Sequence, residues 1–185
     1  MPKKDKKSHS ENILWLDIEM TGLSVENDLI LEIAAIVTDW DFNEIDTFQG
    51  VVKHDEKILA EKFNANSLFW NDNAESRDGL LAQNKSGRSL ERVERDIIKF
   101  LNKNFDIKKP ILCAGNSVHV DRRFIMSNWP KFDAKLHYRM LDVSAWKVVF
   151  NGKYKKKFAK MGTHRALDDI RGSIMELQYY LAKIK

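Results

Sequence analysis

Apolar and polar positions along this chain follow two periods. Residues 12–20, from Asn12 through Trp15 to Met20, form a mostly apolar run stopped by Thr21-Gly22, the pattern of a buried strand. Leu29 to Asp39 and a run near Asp46 to Val52 predict two further strands. Between them Asp41-Phe42-Asn43-Glu44 has turn chemistry, which makes the pair an antiparallel hairpin. Residues 55–86 are mixed and polar and predict short helices. From Ser89, a good N-cap, the residues Leu90, Val93, Ile97, Phe100 and Leu101 repeat at helical spacing. Pro110 opens a short buried strand through Ala114, closed by Gly115-Asn116. Residues 119–128 predict a helix and Tyr138 to Val143 another strand. A last helix, about residues 164–184, sets Leu167, Ile170, Ile174, Leu177 and Leu181 on one stripe. Strands come first and helices alternate with strands afterwards, so the expected class is α/β, a mixed sheet flanked by helices. With no internal repeat or long linker, the organisation expected is a flexible basic tail over residues 1–10 and one domain over residues 11–185.

Composition narrows the setting. A chain of 185 residues with 43% apolar and 31% charged positions can bury one ordinary core, which excludes wholesale disorder. Cys113 is the one cysteine, so no intramolecular disulfide is possible; inside Ile111-Leu112-Cys113-Ala114 it reads as a small core residue in a reducing compartment. No apolar stretch approaches the roughly 18–20 residues of a membrane span. The longest, Leu29 to Val37, is interrupted by Glu32, and no apolar signal core follows the basic N-terminus. The expectation is a cytoplasmic protein with no membrane partner.

Charge changes that picture through its location. The net charge is +4, of which +3 lies in residues 1–10 and +6 in residues 151–165, leaving −5 for the other 160 residues. A solvated tail and a solvated loop would account for both clusters. The loop, however, holds Lys153, Lys155, Lys156, Lys157, Lys160 and Arg165 and runs through His164. A basic loop beside a histidine is also the chemistry of a phosphate site.

Asp17 and Glu19 stand inside an apolar strand, where charged residues seldom sit. Two apart on a strand, they share a face roughly 6.5–7 Å apart, while Leu14, Leu16, Ile18 and Met20 line the other. Desolvated carboxylates at that spacing repel unless they share a proton, meet water or hold a cation. A divalent metal with a preference for hard oxygen ligands answers the need. Asp121 follows the strand end at Gly115 by six residues, in what would be the first turn of a helix. His164 precedes Asp168-Asp169, and spacing alone leaves the choice between those two acids open. A base, carboxylates and a basic loop together describe a metal-assisted phosphodiesterase.

These residues also carry a resemblance. The runs Trp15 to Leu23 (WLDIEMTGL), Gly115-Asn116-Ser117 through Asp121-Arg122-Arg123-Phe124, His137-Tyr138-Arg139 with Leu141-Asp142-Val143-Ser144, and Gly162-Thr163-His164 through Asp168-Asp169-Ile170 resemble the oligoribonuclease family of DEDDh, DnaQ-like 3′-to-5′ exoribonucleases, over nearly all of residues 11–185. The resemblance implies a ribonuclease H-like fold and two divalent ions, Mg²⁺ or Mn²⁺. It makes Asp17, Glu19, Asp121 and Asp169 the metal ligands and His164 the general base, and it selects Asp169 over Asp168. It further implies a homodimer in which Tyr138 and Arg139 reach the partner's active site, with Tyr138 counted among the catalytic residues. Leu23 would wedge against a base, Trp70 stack on one, Ser117 contact the 3′-terminal nucleotide, and Ser144 bind substrate. The implied substrate is short single-stranded RNA, down to dinucleotides, released as nucleoside 5′-monophosphates. Two positions depart from the family pattern: Glu75 stands where a histidine is common, and Ala145-Trp146 where Thr-Leu is usual. The alternatives weighed are another DEDDh exonuclease, acting on DNA or trimming tRNA, and a non-catalytic RNA-binding module.

Overall fold

A computed structural model describes residues 12–106, 108–159 and 165–184. Among them, strands β1 (Ile13–Met20), β2 (Ile30–Thr38), β3 (Glu44–Val51), β4 (Ile111–Gly115) and β5 (Leu136–Asp142) form one sheet in the order β3-β2-β1-β4-β5. β1 pairs antiparallel with β2 and β2 with β3, whereas β1–β4 and β4–β5 are parallel. The expected mixed sheet is therefore present, with β1 at its centre.

The predicted hairpin joins β2 to β3. Asp39 closes it by accepting from the Asp41 and Asn43 backbone N–H groups with Oδ1, both at 2.9 Å, while Phe42 takes a positive φ of 66°. Residues 55–86 divide as expected into short helices: α1 (Glu56–Ala65), α2 (Ser67–Asp72) and α3 (Ala74–Asn84). Asn66 and Asn73, with ψ of 29° and 41°, stand between them, and asparagine tolerates such non-helical backbone well. Helix α4 (Leu90–Asn104) starts where Ser89 predicts, with the Ser89 hydroxyl accepting from Arg92 N at 3.3 Å.

Helix α5 (Val118–Asn128) follows β4, a short α6 (Pro130–Asp133) precedes β5, and α7 (Val143–Tyr154) and α8 (Ala166–Leu181) end the described chain. The sequence pattern does not reveal α6 or α7. The β-branched run Val148-Val149 hides α7, and the Asp142 carboxylate caps it by accepting from Ser144 N. The basic segment is thus not all loop: Lys153 lies in the last turn of α7, where a cation complements the helix dipole. The tail over residues 1–10, together with Lys160 and His164, lies outside the described residues.

Two layers of helices cover the sheet. On one face Leu14, Leu16 and Ile18 of β1 join Ile33, Ala35 and Val37 of β2 with α4, α5 and α6, through Val93, Ile97, Leu101, Phe124, Ile125 and Phe132. On the other, Ile13, Trp15, Ala34 and Ile36 meet α8 through Ala166, Ile170, Ile174 and Leu177. Of the predicted α8 stripe, Leu181 is exposed, and Ala166 extends the buried face at the other end. Cys113 is a fully buried core residue, and burial pushes its thiol up to about 11, away from reactivity. A third cluster, Leu31, Leu59, Phe63, Trp70 and Leu80, seats α1–α3 beside the sheet. Among the described residues no helix is long and apolar enough to cross a membrane.

Gly115 marks the point where β4 must come close to β1. A Cβ there would lie 2.7 Å from the Leu16 carbonyl oxygen and 3.1 Å from Val118. Gly115→Ala should therefore cost about 1–3 kcal/mol of stability, as overpacking does. Urea unfolding would show it as a lower midpoint at unchanged slope; an unchanged midpoint would mean the backbone gives way freely.

Candidate active site

The site is built where β1 outruns β4. The parallel pairing of these strands reaches only Trp15↔Ala114, so the backbone of Ile18 has no β4 partner. The chain instead turns at Asn116-Ser117, Ser117 adopting left-handed backbone (φ 57°, ψ 31°), and enters α5. From the first turn of α5 the Asp121 carboxylate returns to accept the Ile18 N–H with Oδ1 at 2.9 Å. Sheet order reverses direction between β1 and β4, which is where open α/β sheets form ligand crevices, outside the carboxyl ends of their strands.

Asp17 and Glu19 share the β1 face that carries Trp15, the α8 side. Asp17 is opposite the small Ala34 of β2, which leaves room for a carboxylate. Asp169, in the first turn of α8, completes a trio: one carboxylate oxygen from each of Asp17, Glu19 and Asp169 lies within 4.8 Å of the others. Asp168 points elsewhere, 3.7 Å from the Arg171 guanidinium. Helix geometry thus makes the choice that spacing leaves open.

Three carboxylates so close are electrostatically costly. Burial pushes the Glu19 carboxyl from 4.5 up to about 7, with Asp169, Glu32 and Asp121 adding repulsion and Arg165 opposing it. Burial likewise raises Asp121 to about 7, against the Ile18 hydrogen bond and with help from the Asp142 charge. Hard oxygens converging from β1 and α8 in a half-buried setting fit a divalent cation of the Mg²⁺ or Mn²⁺ kind.

The remaining expected residues fall around this centre with different exposures. Leu23 is 70% exposed, at the rim of a cavity of about 360 Å³ that is also lined by Glu19, Thr21, Gly22, Asn66, Phe69 and Trp70. Trp70 is a wall of that cavity and not an open platform. It is 2% exposed, its ring meets Phe63 and Phe69 edge-on at 4.9 and 5.0 Å, and its Nε1–H donates to the Thr21 carbonyl at 2.8 Å. Ser117 donates its N–H to Asp142 Oδ1 at 2.9 Å. Ser144 donates to the same oxygen from both backbone and side chain, so it serves as part of the α7 cap. Burial works to raise Asp142, but the bonds from Ser144, Ser117 and His119 outweigh it and hold the carboxyl below its usual range. Tyr138 and Arg139 are on edge strand β5, exposed, with the guanidinium 5.1 Å above the tyrosine ring. Glu75 is an exposed residue in the first turn of α3, where an acid complements the helix dipole. His164 lies outside the described residues.

Relatives place the chain. The exonuclease family model RNase_T matches residues 14–67 and 79–177. Oligoribonuclease of Francisella tularensis subsp. novicida (strain U112) is 39% identical over 179 residues, covering 95% of this chain and 97% of its own. Oligoribonuclease of Pseudomonas fluorescens (strain Pf0-1) is 38% identical, covering 92% of this chain and 94% of its own. The chain belongs to the oligoribonuclease family. It is a nuclease, a hydrolase with an exonuclease domain. Solved structures share the fold at lower identity. The zinc-bound E. coli ExoI–ssDNA complex matches with a TM-score of 0.66 at 14% identity, and exonuclease I of Methylocaldum szegediense with 0.63 at 12%. This chain spans 41% of each of those chains.

Sequence reasoning leaves three contributors to the site unremarked. Glu32, apparent only as a break in an apolar run, is fully buried opposite Glu19 and accepts from the Gln49 and Gln83 side-chain amides. Arg165, counted merely as loop charge, lowers the pKa of Glu19. Asp142 organises Ser117, Ser144 and His119. A charged residue in a buried strand was a signal available for Glu32; the other two needed the fold.

The raised acids give a pH dependence of defined sign. Groups whose folded values lie above their unfolded ones favour folding fully at low pH, and that stability is lost as pH rises from about 4.5 through about 7. A cation relieves the charge only once the acids ionise. Mn²⁺ or Mg²⁺ should therefore raise the melting temperature more at pH 8 than at pH 5, measured against the same protein in EDTA. An equal rise at both values would contradict carboxylate ligation.

Proposed function

We propose that this protein is a 3′-to-5′ exoribonuclease that trims short oligoribonucleotides, down to dinucleotides, to nucleoside 5′-monophosphates. The convergence of Asp17, Glu19 and Asp169 within 4.8 Å at the end of β1 carries this reading, together with family membership. Asp17, Glu19, Asp121 and Asp169 would hold two divalent ions, Mg²⁺ or Mn²⁺. When bound, such ions lower the pKa of a water and offset charge at the scissile phosphate and the leaving oxygen. Asp121 contributes rigidity as well as charge, since its other task is to hold the β1 backbone at Ile18.

His164 is assigned the proton of the attacking water. An imidazole, whose ordinary pKa is near 6.5, suits proton removal at neutral pH. Leu23 at the rim of the 360 Å³ cavity is the base contact, which suits mixed fragments because an apolar contact reads no base edge, and Trp70 forms the wall beside it. Ser117 meets the 3′-terminal nucleotide, and Ser144 and Arg139 are assigned to substrate binding. Tyr138 and Arg139 act across a homodimer. What favours this is their exposure on edge strand β5, Tyr138 at 72% with the Arg139 guanidinium 5.1 Å from its ring centroid, which leaves both side chains accessible to a partner. The cytoplasm, a reducing compartment, suits the free thiol of Cys113.

The test is hydrolysis of 5′-phosphorylated GpG in Mn²⁺ with and without EDTA, with products resolved. Mononucleotides should appear only with the metal; a protein that binds GpG and releases none would be a binding module. Faster turnover on a twenty-residue RNA than on the dinucleotide would favour a different DEDDh exonuclease. His164→Ala should lower turnover by about 10²–10⁴-fold while calorimetric metal binding persists. Near-normal hydrolysis by that variant would remove His164 from the mechanism. Asp17→Ala should abolish activity and weaken metal binding, and two metals still bound at full affinity would contradict its role.

A further inference from the structure

Leu23 is held at the cavity rim by a neighbour that the proposed mechanism does not use. The segment from Thr21 to Asp28 connects β1 to β2, and its hydrogen bonds converge on the Asp28 carboxylate. Oδ1 accepts from the Thr21 hydroxyl at 2.9 Å and from the Asn66 side-chain amide at 3.1 Å. Oδ2 accepts from the Ser24 backbone N–H at 2.9 Å. Thr21 is tied in turn to Leu29 through two further bonds, its own N–H to the Leu29 carbonyl (2.9 Å) and the Leu29 N–H to its hydroxyl (3.0 Å). The Asp28 N–H returns to the Ser24 carbonyl at 2.7 Å.

Leu23 sits between the two anchored residues, Thr21 and Ser24, with Gly22 beside it. A side chain at position 22 would have no room: its Cβ would meet Asp28 Oδ2 at 2.5 Å and Asn66 Nδ2 at 2.7 Å. The carboxylate is therefore packed directly against the backbone that presents Leu23. Asn66 lies between α1 and α2, the second of which carries Trp70, so the same carboxylate links the two sides of the cavity. Folding gains little by ordering a loop around a leucine that stays in water, because ordering costs entropy and an exposed side chain returns no burial. Such an arrangement has a purpose if the leucine is to meet a ligand ready-placed.

We infer that Asp28 is a positioning residue for Leu23, fixing the edge of the cavity against which a substrate base rests. The inference depends on the base contact assigned to Leu23 above. Asp28 acts on affinity for the dinucleotide and not on the hydrolytic step, because it touches the loop and none of the acids assigned to the metals.

All three donors require an acceptor, which makes Asp28→Asn a sharp probe. The amide keeps the volume but must turn one NH₂ toward a donor, breaking at least one of the bonds. With 5′-phosphorylated GpG and Mn²⁺, Leu23→Ala and Asp28→Asn should each raise KM by about tenfold and change kcat by less than about twofold, while the double variant stays within about twofold of Leu23→Ala alone. An unchanged KM for Asp28→Asn, or penalties that multiply in the double variant, would overturn the role of Asp28 and leave the Leu23 contact standing. An unchanged KM for Leu23→Ala would overturn the base contact and this inference with it. Should Asp28→Asn fail to fold, Asn66→Ala takes its place in the same cycle and the same outcomes decide.

Discussion

One hydrogen bond organises the candidate active site: the Ile18 N–H to the Asp121 carboxylate. β1 continues past the end of its pairing with β4 to bring Asp17 and Glu19 to the carboxyl end of the sheet, and continuing leaves the Ile18 N–H without a β4 partner. A buried unpaired N–H would be costly. Asp121 meets that need and in doing so fixes α5 to the strand between the two acids. Glycine at position 115 follows from the same requirement, since the two backbones must approach closely before they separate.

The arrangement concentrates negative charge to a degree that folding alone would not favour. Asp17, Glu19 and Asp169 converge, Glu32 lies opposite Glu19, and the Arg165 guanidinium offsets part of the charge at Glu19. The surroundings limit the damage without removing it. Glu32 is held by two glutamine amides, which satisfy its oxygens but supply no counter-charge. Asp142, by contrast, is satisfied so fully by N–H and O–H donors that its carboxyl stays readily ionised. Elsewhere the fold treats a buried acid as structural. Glu176 on α8 is fully buried and accepts from the Asn116 amide at 3.1 Å and the Tyr180 hydroxyl at 2.9 Å, tying α8 to the turn that precedes Ser117. With an amide and a hydroxyl on its oxygens and the Lys147 ammonium 3.9 Å away, Glu176 braces the fold.

Charge balance over the whole chain now has a physical meaning. An acidic body of −5 cannot grip a long polyanion along its surface, and the positive charge gathers in residues 151–165, which lead into α8 and Asp169. Lys153 closes α7, and Arg165 stands at the start of α8 within reach of Glu19. Such a distribution suits a compact phosphate site more than an extended nucleic-acid track.

Much was legible in the chain itself. The sheet strands, the hairpin turn at Asp41–Glu44, the Ser89 cap and the placing of Asp17 and Glu19 on one face all follow from periodicity and local chemistry, because each depends on residues near in sequence. The family was legible for the same reason, its motifs being contiguous runs. What depends on distant partners was not. Helix α7 shows no clear apolar period in the chain, and it is fixed by the Asp142 cap and by Phe150, whose ring lies 4.8 Å from that of Tyr180. Trp70 looks like a free stacking surface until Phe63 and the Thr21 carbonyl enclose it. The sequence by itself determined which carboxylates exist and on which strand and helix they ride. Only the tertiary structure decided that Asp121 also serves the backbone and that Asp28 stands behind Leu23, because burial and electrostatics are set by neighbours that the chain brings together only when folded.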